Sequence, residues 1–486
     1  MPTTAFAGYP APFIRETPSG RGKKKQQLLW GDFVTLLGEE SGDWVTIRGR
    51  NEEGWIRRTK LQSERLLEVN FVDIGQGDGA LIVTPDDRLI LIDAGVDDHM
   101  FRFLSWRFNL RRHPDAKMRF RAAIISHSDK DHYGGFRELF DSPQLLFDAI
   151  YHNGLVERAG SNLLGERVPA NGREYITDLV DDLPALQQRL ADPQFVGNKV
   201  YPKLLKTAAE SGRTESIRSL QATDRFLPGY DDTSELKIEI CAPVREDVDG
   251  ISGLRWFENA GKTKNGHSVV LRLVYHNVRI LLGGDLNADA EHYLLGHYSG
   301  LDAESADEAV QEAVVAQAGA TFSADVAKAC HHGSADFTDL FLRTVGSIAT
   351  VISSGDNEPY AHPRPDALGA IGKRGRGPRP LIFSTELARS ARELNIDPAK
   401  SFDTLQRQFI ELEKATTKSG KRAIRAKIDP LIERSIAVYG MICLRTDGHR
   451  VQLSYKLERP GSNGKEFDVH LLEPDANGVL HFEGTP

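Results

Sequence analysis

Between Leu28 and Leu61 apolar and polar positions alternate in short runs, DFVTLL, DWVTIR and EGWIRR, separated by Gly, Ser and Asn. A period of two bounded by turn residues predicts half-buried strands, and three so close together predict a small β-barrel at about 27–64. Residues 1–26, rich in Pro and Gly and ending in the basic run from Arg21 to Lys25, read as a flexible lead-in. From Leu67 the pattern changes. FVDI, ALIVT and LILIDAG are unbroken apolar, β-branched blocks parted by GQGDG and PDD, which predicts a meander of buried strands. RAAIIS at 121–126 is a further strand, and VVLRLVY and RILLGG around His276-Asn277 form a hairpin. Helical spacing of three and four appears in REYITDLVDDLPALQQRLA, so the long stretch 150–262 reads as a helical insertion. DAESADEAVQEAVVAQAGA predicts another helix, covering the sheet after Asp285. Strands interleaved with helices make the class α/β.

Composition narrows this only in part. At about 150 residues per domain, 486 residues allow two or three domains. A net charge of −8 argues against a chain coated in basic charge for nonspecific nucleic-acid binding, though not against a local basic groove. Two stretches are locally basic: 364–379, with Arg364, Lys373, Arg374, Arg376 and Arg379, and 414–427. If they line a cleft they hold a polyanion, and otherwise they are solvated loops. Three scattered cysteines, Cys241, Cys330 and Cys443, make neither a disulfide framework nor a Cys-type zinc site, which fits a reducing compartment. No apolar run is long enough to span a bilayer and the N-terminus lacks a basic-then-apolar leader, so the expectation is a cytoplasmic protein without a membrane partner.

The strand RAAIIS runs straight into HSDKDH, with His127, Asp129, Asp131 and His132 inside six positions. A metal ion needs several lone-pair donors aimed at one point, and a loop closing a buried strand can turn successive side chains inward. Asp73, Asp78 and Asp93, at strand ends nearby, either join such a site or satisfy turn N–H groups. Asp285 ends the later hairpin, and His331-His332 follow the apolar DVAKAC. If that strand continues through both histidines they face opposite ways, so only one is a ligand. His331 is taken for that role, with His332 left to touch substrate or donate a proton.

His127, Asp131 and His132 match the His-x-His-x-Asp-His hallmark of the metallo-β-lactamase superfamily, which this sequence resembles over roughly 68–455, with Asp129 in place of the second His. That departure, with VDIGQGDG upstream and His-His-Gly-Ser downstream, is similar to the branch containing the ComEC/Rec2 competence-type hydrolase domain. The resemblance implies an αββα sandwich over 65–486, in which RPLIFSTE and MICLRTDGHRVQLSY close the second sheet. His267 falls at the superfamily's third His position and Asp285 at its bridging Asp. It implies two divalent ions, zinc or manganese, one held by His127, Asp129 and His267 and the other by Asp131, His132 and His331. Such a pair shares a hydroxide between ions about 3.5–4 Å apart. Asp131, His332 and His362 would then be catalytic, and Asn357, Tyr360, Arg374 and Arg376 would bind substrate; alternatively Tyr360 and His362 merely order a Pro-rich turn. The implied reaction is phosphodiester hydrolysis, on DNA or RNA. Its rivals are a small-molecule phosphodiesterase, acting on a nucleotide or phosphocholine-like ester, and a binding protein with a structural metal centre. The barrel resembles bacterial SH3-like domains through Gly31-Asp32, Trp44 and Gly54-Trp55. That implies a peptide or protein partner, unless these Trp residues simply fill a small core.

Overall fold

The structure, a computed structural model, describes residues 4–355, 360–386, 398–436, 441–457 and 464–482, with the single positions 461 and 484. Two sheets face each other. The larger has ten strands, in spatial order Thr214–Ser219, Leu145–His152, Met118–Ile124, Leu89–Ala94, Gly79–Val83, Leu67–Val72, Met441–Thr446, Val451–Lys456, Phe467–Pro474 and Leu480–Phe482. The smaller has six: Leu236–Ala242, Val270–Tyr275, Val278–Leu282, Val326–Lys328, Ala349–Ile352 and Leu381–Ser384. Val69, Ile82, Ile92 and Ile124 of one sheet meet Ile238, Leu273, Ile280 and Val351 of the other in a shared core.

Both outer faces are covered as well. Leu81, Leu91, Phe120 and Ile150 lie under helical residues such as Met100, Phe103, Leu139 and Leu205. Val270, Leu281 and Ala327 lie under Leu294, Val314, Phe322 and Phe341. Sheets buried on both faces have no solvent side on which to alternate, which is why their strands read as unbroken apolar blocks. The result is the expected αββα order of layers. Each sheet is antiparallel at one side and parallel at the other: Leu89–Ala94, Met118–Ile124, Leu145–His152 and Thr214–Ser219 run parallel, as do the last four strands of the smaller sheet.

Three expectations are corrected. The lead-in is not structureless: Thr4–Ala7, Phe13–Arg15 and Lys24–Gln27 join the N-terminal seven-stranded sheet, which makes the small β-barrel-like unit together with the three predicted strands. Gly8, Pro10, Pro12, Pro18, Gly20 and Gly22 sit in the turns between these short strands. The insertion is not wholly helical, since it gives an edge strand to each main sheet and builds a four-stranded sheet of its own. Asn171-Gly172, at φ 51° and 73°, closes a two-residue hairpin between Arg167–Ala170 and Arg173–Ile176, a turn whose chemistry overrides the helical spacing around it. Finally, Met441–Thr446 and Val451–Lys456 extend the larger sheet, because Met441–Thr446 pairs with Leu67–Val72.

The barrel docks on the sandwich through buried charge. Arg445 donates from Nε to Glu68 (2.9 Å) and from Nη1 to Asp32 (2.8 Å) and the Trp30 carbonyl (2.8 Å). Arg107 completes Glu68 and Arg50 completes Asp32. Gln27 Oε1 accepts from the backbone of Glu466 and Phe467, and Leu29 packs with Phe467 and Val469. Arg445→Met should therefore cost on the order of 3–5 kcal/mol in chemical denaturation, by leaving two carboxylates buried with incomplete partners. Acid should act on the same network. Burial opposes the Glu68 charge, but Arg107 and Arg445 outweigh it and hold the carboxyl at about 2, against an ordinary 4.5. A depressed folded-state value stabilises fully above the ordinary carboxylate range and loses that contribution as pH falls through it, so the unfolding midpoint should drop steeply between about pH 5 and about pH 2, and less so in Arg445→Met.

Candidate metal centre

The site lies where the parallel strands of both sheets end, at their C-terminal edges. Leu89–Ala94 ends on Asp93, held at φ 55°, an uncommon backbone region for a residue other than glycine. Asp93 accepts from the Ser126 backbone N–H (2.8 Å) and hydroxyl (2.7 Å), tying its strand end to that of Met118–Ile124. Beyond Ser126 the chain passes His127 and Asp129 and turns into the short helix Lys130–Tyr133, which carries Asp131 and His132. The GQGDG loop rests on this turn. A Cβ on Gly77, at φ 102°, would lie 1.7 Å from the Asp131 carbonyl, so only glycine lets the loop approach and deliver Asp78. From the smaller sheet, Val278–Leu282 leads through Gly283-Gly284 to Asp285, whose N–H donates to Ser268 Oγ (3.0 Å).

Four overlapping groups of ligand-type side chains result among the described residues: His127, His132 and Asp285; Asp131, His132 and His332; Asp78, Asp285 and His332; and Asp78, Asp93 and His132. His132 donates from Nδ1 to Asp93 (2.8 Å), leaving Nε2 3.2 Å from Asp285 Oδ2. His332 donates from Nδ1 to the Ser353 carbonyl (3.0 Å), and its Nε2 lies 3.2 Å from Asp285 and 3.6 Å from Asp131. Lys328 is buried among them, its Nζ on Asp78, 2.9 Å from the Gly284 carbonyl and 3.6 Å from Asp285 Oδ1.

The charges explain one another. Burial disfavours an imidazolium, yet Asp285 and Asp93 hold His132 well above its ordinary value, and Asp285 and Asp78 do the same for His332. Burial likewise works against Asp131, but the His332 contact keeps it well below the usual carboxylate range. The pocket thus draws in positive charge. His132 Nε2, His332 Nε2, Asp285 Oδ1 and Asp78 Oδ1 are buried without a hydrogen-bond partner of sound geometry. Buried polar atoms are nearly always satisfied, so the two imidazole Nε2 atoms, each 3.2 Å from Asp285 Oδ2, fit a divalent cation.

Several expected site residues are placed otherwise. His267 is no member of these groups: it caps the helix Ala260–Gly266, donates from Nε2 to the Arg255 carbonyl (2.7 Å) and stacks on Phe257. Asp129 is paired with Lys264, which also holds Glu157 (2.9 Å). Instead of a continuing strand, Cys330–Gly333 is a tight turn with both histidines at positive φ, 47° and 54°. That places His332 in the ligand groups, while His331, 3.9 Å from Asp285, faces the cleft. Arg374 is bidentate to Asp339 and Arg376 is paired with Asp325, neither lining the cleft, so both serve the packing of the smaller sheet and its helices. Asn357 lies outside the described residues. Tyr360 and His362 do line the cleft, stacked at 5.8 Å. Asp78 and Asp93, which the sequence leaves open between site and turn roles, fall within the ligand-type groups. Lys328 and Lys264 gave no signal, because a lysine in a strand or helix end carries no spacing rule.

Residues 72–159, which run from the GQGDG loop through the HSDKDH turn, match the Metallo-beta-lactamase superfamily model. A crystal structure of metallo-beta-lactamase SMB-1 bound to 2-mercaptoethanesulfonate shares 14% identity over 54% of this chain and 79% of that one, at a TM-score of 0.22, a likeness too slight to build on. No curated protein matches. No described helix is long and apolar enough to cross a membrane. Because Asp93 fixes which nitrogen of His132 is free, Asp93→Asn should weaken metal affinity about 10- to 100-fold in a chelator competition while leaving the circular dichroism unchanged, since asparagine tolerates the same positive φ.

Proposed function

We propose that this protein is a metal-dependent hydrolase of phosphodiesters, with a nucleic-acid strand as the favoured substrate. The observation that carries the reading is the shape and lining of the space in front of the centre. A cleft of about 530 Å³, lined by Asp131, Asp285, His331, His332, Tyr360 and His362, adjoins a cavity of about 810 Å³, the two sharing Val96 and Lys130. Small-ligand pockets run to about 300–1,000 Å³, so together they offer more room than one small ester fills. Lys130, Arg137 and Lys203 on the second cavity make no ion pair among the described residues and are available to phosphates, on a wall that also carries Asp97, Glu138, Asp141 and the Asp98–Arg102 pair.

His132, His332, Asp131 and Asp285 would hold the metal, with His127 at its side, an oxygen-and-nitrogen set that suits zinc or manganese. When bound, such an ion polarises a phosphoryl oxygen and lowers the pKa of a water. The chain's own residues do the rest. Asp93 and the Ser353 carbonyl fix the tautomers of the two ligand imidazoles. His331, pushed below its ordinary value by burial, stands at the cleft wall 3.9 Å from Asp285, placed to exchange a proton with a bound substrate. His362, stacked on Tyr360, stands at the rim where a leaving alkoxide would exit.

The protein loaded with zinc or manganese should cleave labelled single-stranded DNA or RNA, and Asp131→Asn should lower that rate at least about 100-fold with the fold retained. Cleavage of bis(p-nitrophenyl) phosphate alone would favour the small-ester reading. Retained metal with no hydrolysis of any of these would favour a structural centre. Charge reversal of Lys203 and Arg137 should slow polymer cleavage and flatten its salt dependence, by a slope of roughly one per lost phosphate contact, without touching the small ester. Arg374→Glu should leave both rates alone.

A further inference from the structure

We propose that the centre holds a single metal ion, and that two buried lysines, Lys328 and Lys264, take the positions a second ion would need. The inference rests on the metal-centre reading and concerns how the ligand groups divide. Each imidazole in the centre has one nitrogen to give, because Nδ1 of His132 is committed to Asp93 and Nδ1 of His332 to the Ser353 carbonyl. The groups His127–His132–Asp285 and Asp131–His132–His332 both draw on His132 Nε2, so they describe alternatives for one ion. The group that could coexist with the first, bridged through Asp285, is Asp78–Asp285–His332. That place is taken. The Lys328 ammonium sits on Asp78, 2.9 Å from the Gly284 carbonyl and 3.6 Å from Asp285, so two of the three ligands already have their cation.

The opposite flank is closed in the same manner. Asp129 Oδ2 lies 3.6 Å from His127 Nε2, the beginning of a second ligand set, but the carboxylate is bound by Lys264. His267, the nitrogen that would complete that set, is turned onto the Arg255 carbonyl. Lys264 is itself clamped from the far side by Glu157, so it cannot swing aside without leaving that carboxylate unpaired. A fixed ammonium neutralises a carboxylate as an ion would but has no vacant coordination position. Asp78 and Asp129 are thereby assigned to charge balance and to orienting the ligand loop, not to a second ion.

Loading wild-type protein with excess manganese, desalting it and measuring metal by elemental analysis should give about one ion per chain, with the electron paramagnetic resonance spectrum of an isolated ion. Lys264→Met, which keeps the stem and removes the charge, should raise the count toward about two and add exchange coupling. Lys328→Met should do the same if it folds, and Lys264→Met decides the question if it does not. Two coupled ions in the wild type would overturn the proposal while leaving the hydrolase reading standing. One ion in the wild type and in every folded lysine variant would overturn the role given to the lysines. No ion under any loading condition would remove both readings.

Discussion

Carboxylates taken out of water have to meet positive charge, and this requirement organises the open edge of the sandwich. Asp78, Asp93 and Asp285 are almost fully buried and Asp131 is partly so, joined to one another through shared histidines. In a low-dielectric site each would be driven to its neutral form unless a cation compensated it. Lys328 and the two imidazoles supply part of that compensation, and the unsatisfied atoms left between them mark where more is wanted. Stability and chemistry therefore make the same demand: what lets these side chains stay charged is also what suits them to hold a cation.

The fold meets the demand by bringing two sheets to a common edge. Parallel strands deliver their C-terminal ends, where the chain must turn, to the same side of the molecule, and turns are where side chains can converge from elements distant in sequence. Asp93 and the HSDKDH turn come from the larger sheet, Asp285, Lys328 and His332 from the smaller. Ser126 and Ser268 stitch them: Ser126 binds Asp93, Ser268 receives the Asp285 N–H, and each hydroxyl lies within 3.3 Å of His127 Nδ1. Fixing the tautomers through Asp93 and Ser353 means that the ligand nitrogens are oriented before any ion arrives, so binding pays less ordering entropy.

How much of this the sequence discloses depends on whether the signal is local. The strand blocks, the hairpin at His276-Asn277 and the HSDKDH turn are local, and they appear in the structure at the expected positions. Asp285 is found because it ends a strand. The departures from expectation come from long-range contacts and from local backbone geometry that spacing does not encode. His267 has the right residue type, but its ring is claimed by a carbonyl twelve residues earlier in the chain, which spacing does not reveal. His332 rather than His331 falls in the ligand-type groups because two successive residues at positive φ break the alternation that a strand would impose. Arg374 and Arg376 look like a phosphate-binding run until Asp339 and Asp325 are brought beside them. The barrel's strands are legible, whereas its dock is not, because Arg445 and Asp32 are 413 positions apart.

That dock bears on the centre through one strand. Glu68, bound by Arg445 and Arg107, stands near the start of Leu67–Val72, and the same strand runs directly into Asp73 and the GQGDG loop. At about 3.3 Å per residue the two ends are roughly 17 Å apart, one buried strand with no break between them. The Asp73 carboxylate accepts from the Gly75 N–H (3.1 Å), fixing the first turn of the loop, and the Asp78 N–H then reaches the Asp131 carbonyl (3.2 Å). The strand is paired on both sides, by Gly79–Val83 and Met441–Thr446, so a displacement at Glu68 is passed along a stiff element. The loop at its other end has little slack, given how closely Gly77 lies on the Asp131 backbone. The N-terminal unit is thus a structural neighbour of the ligand loop, coupled to it by packing and register although its own residues lie outside the ligand groups.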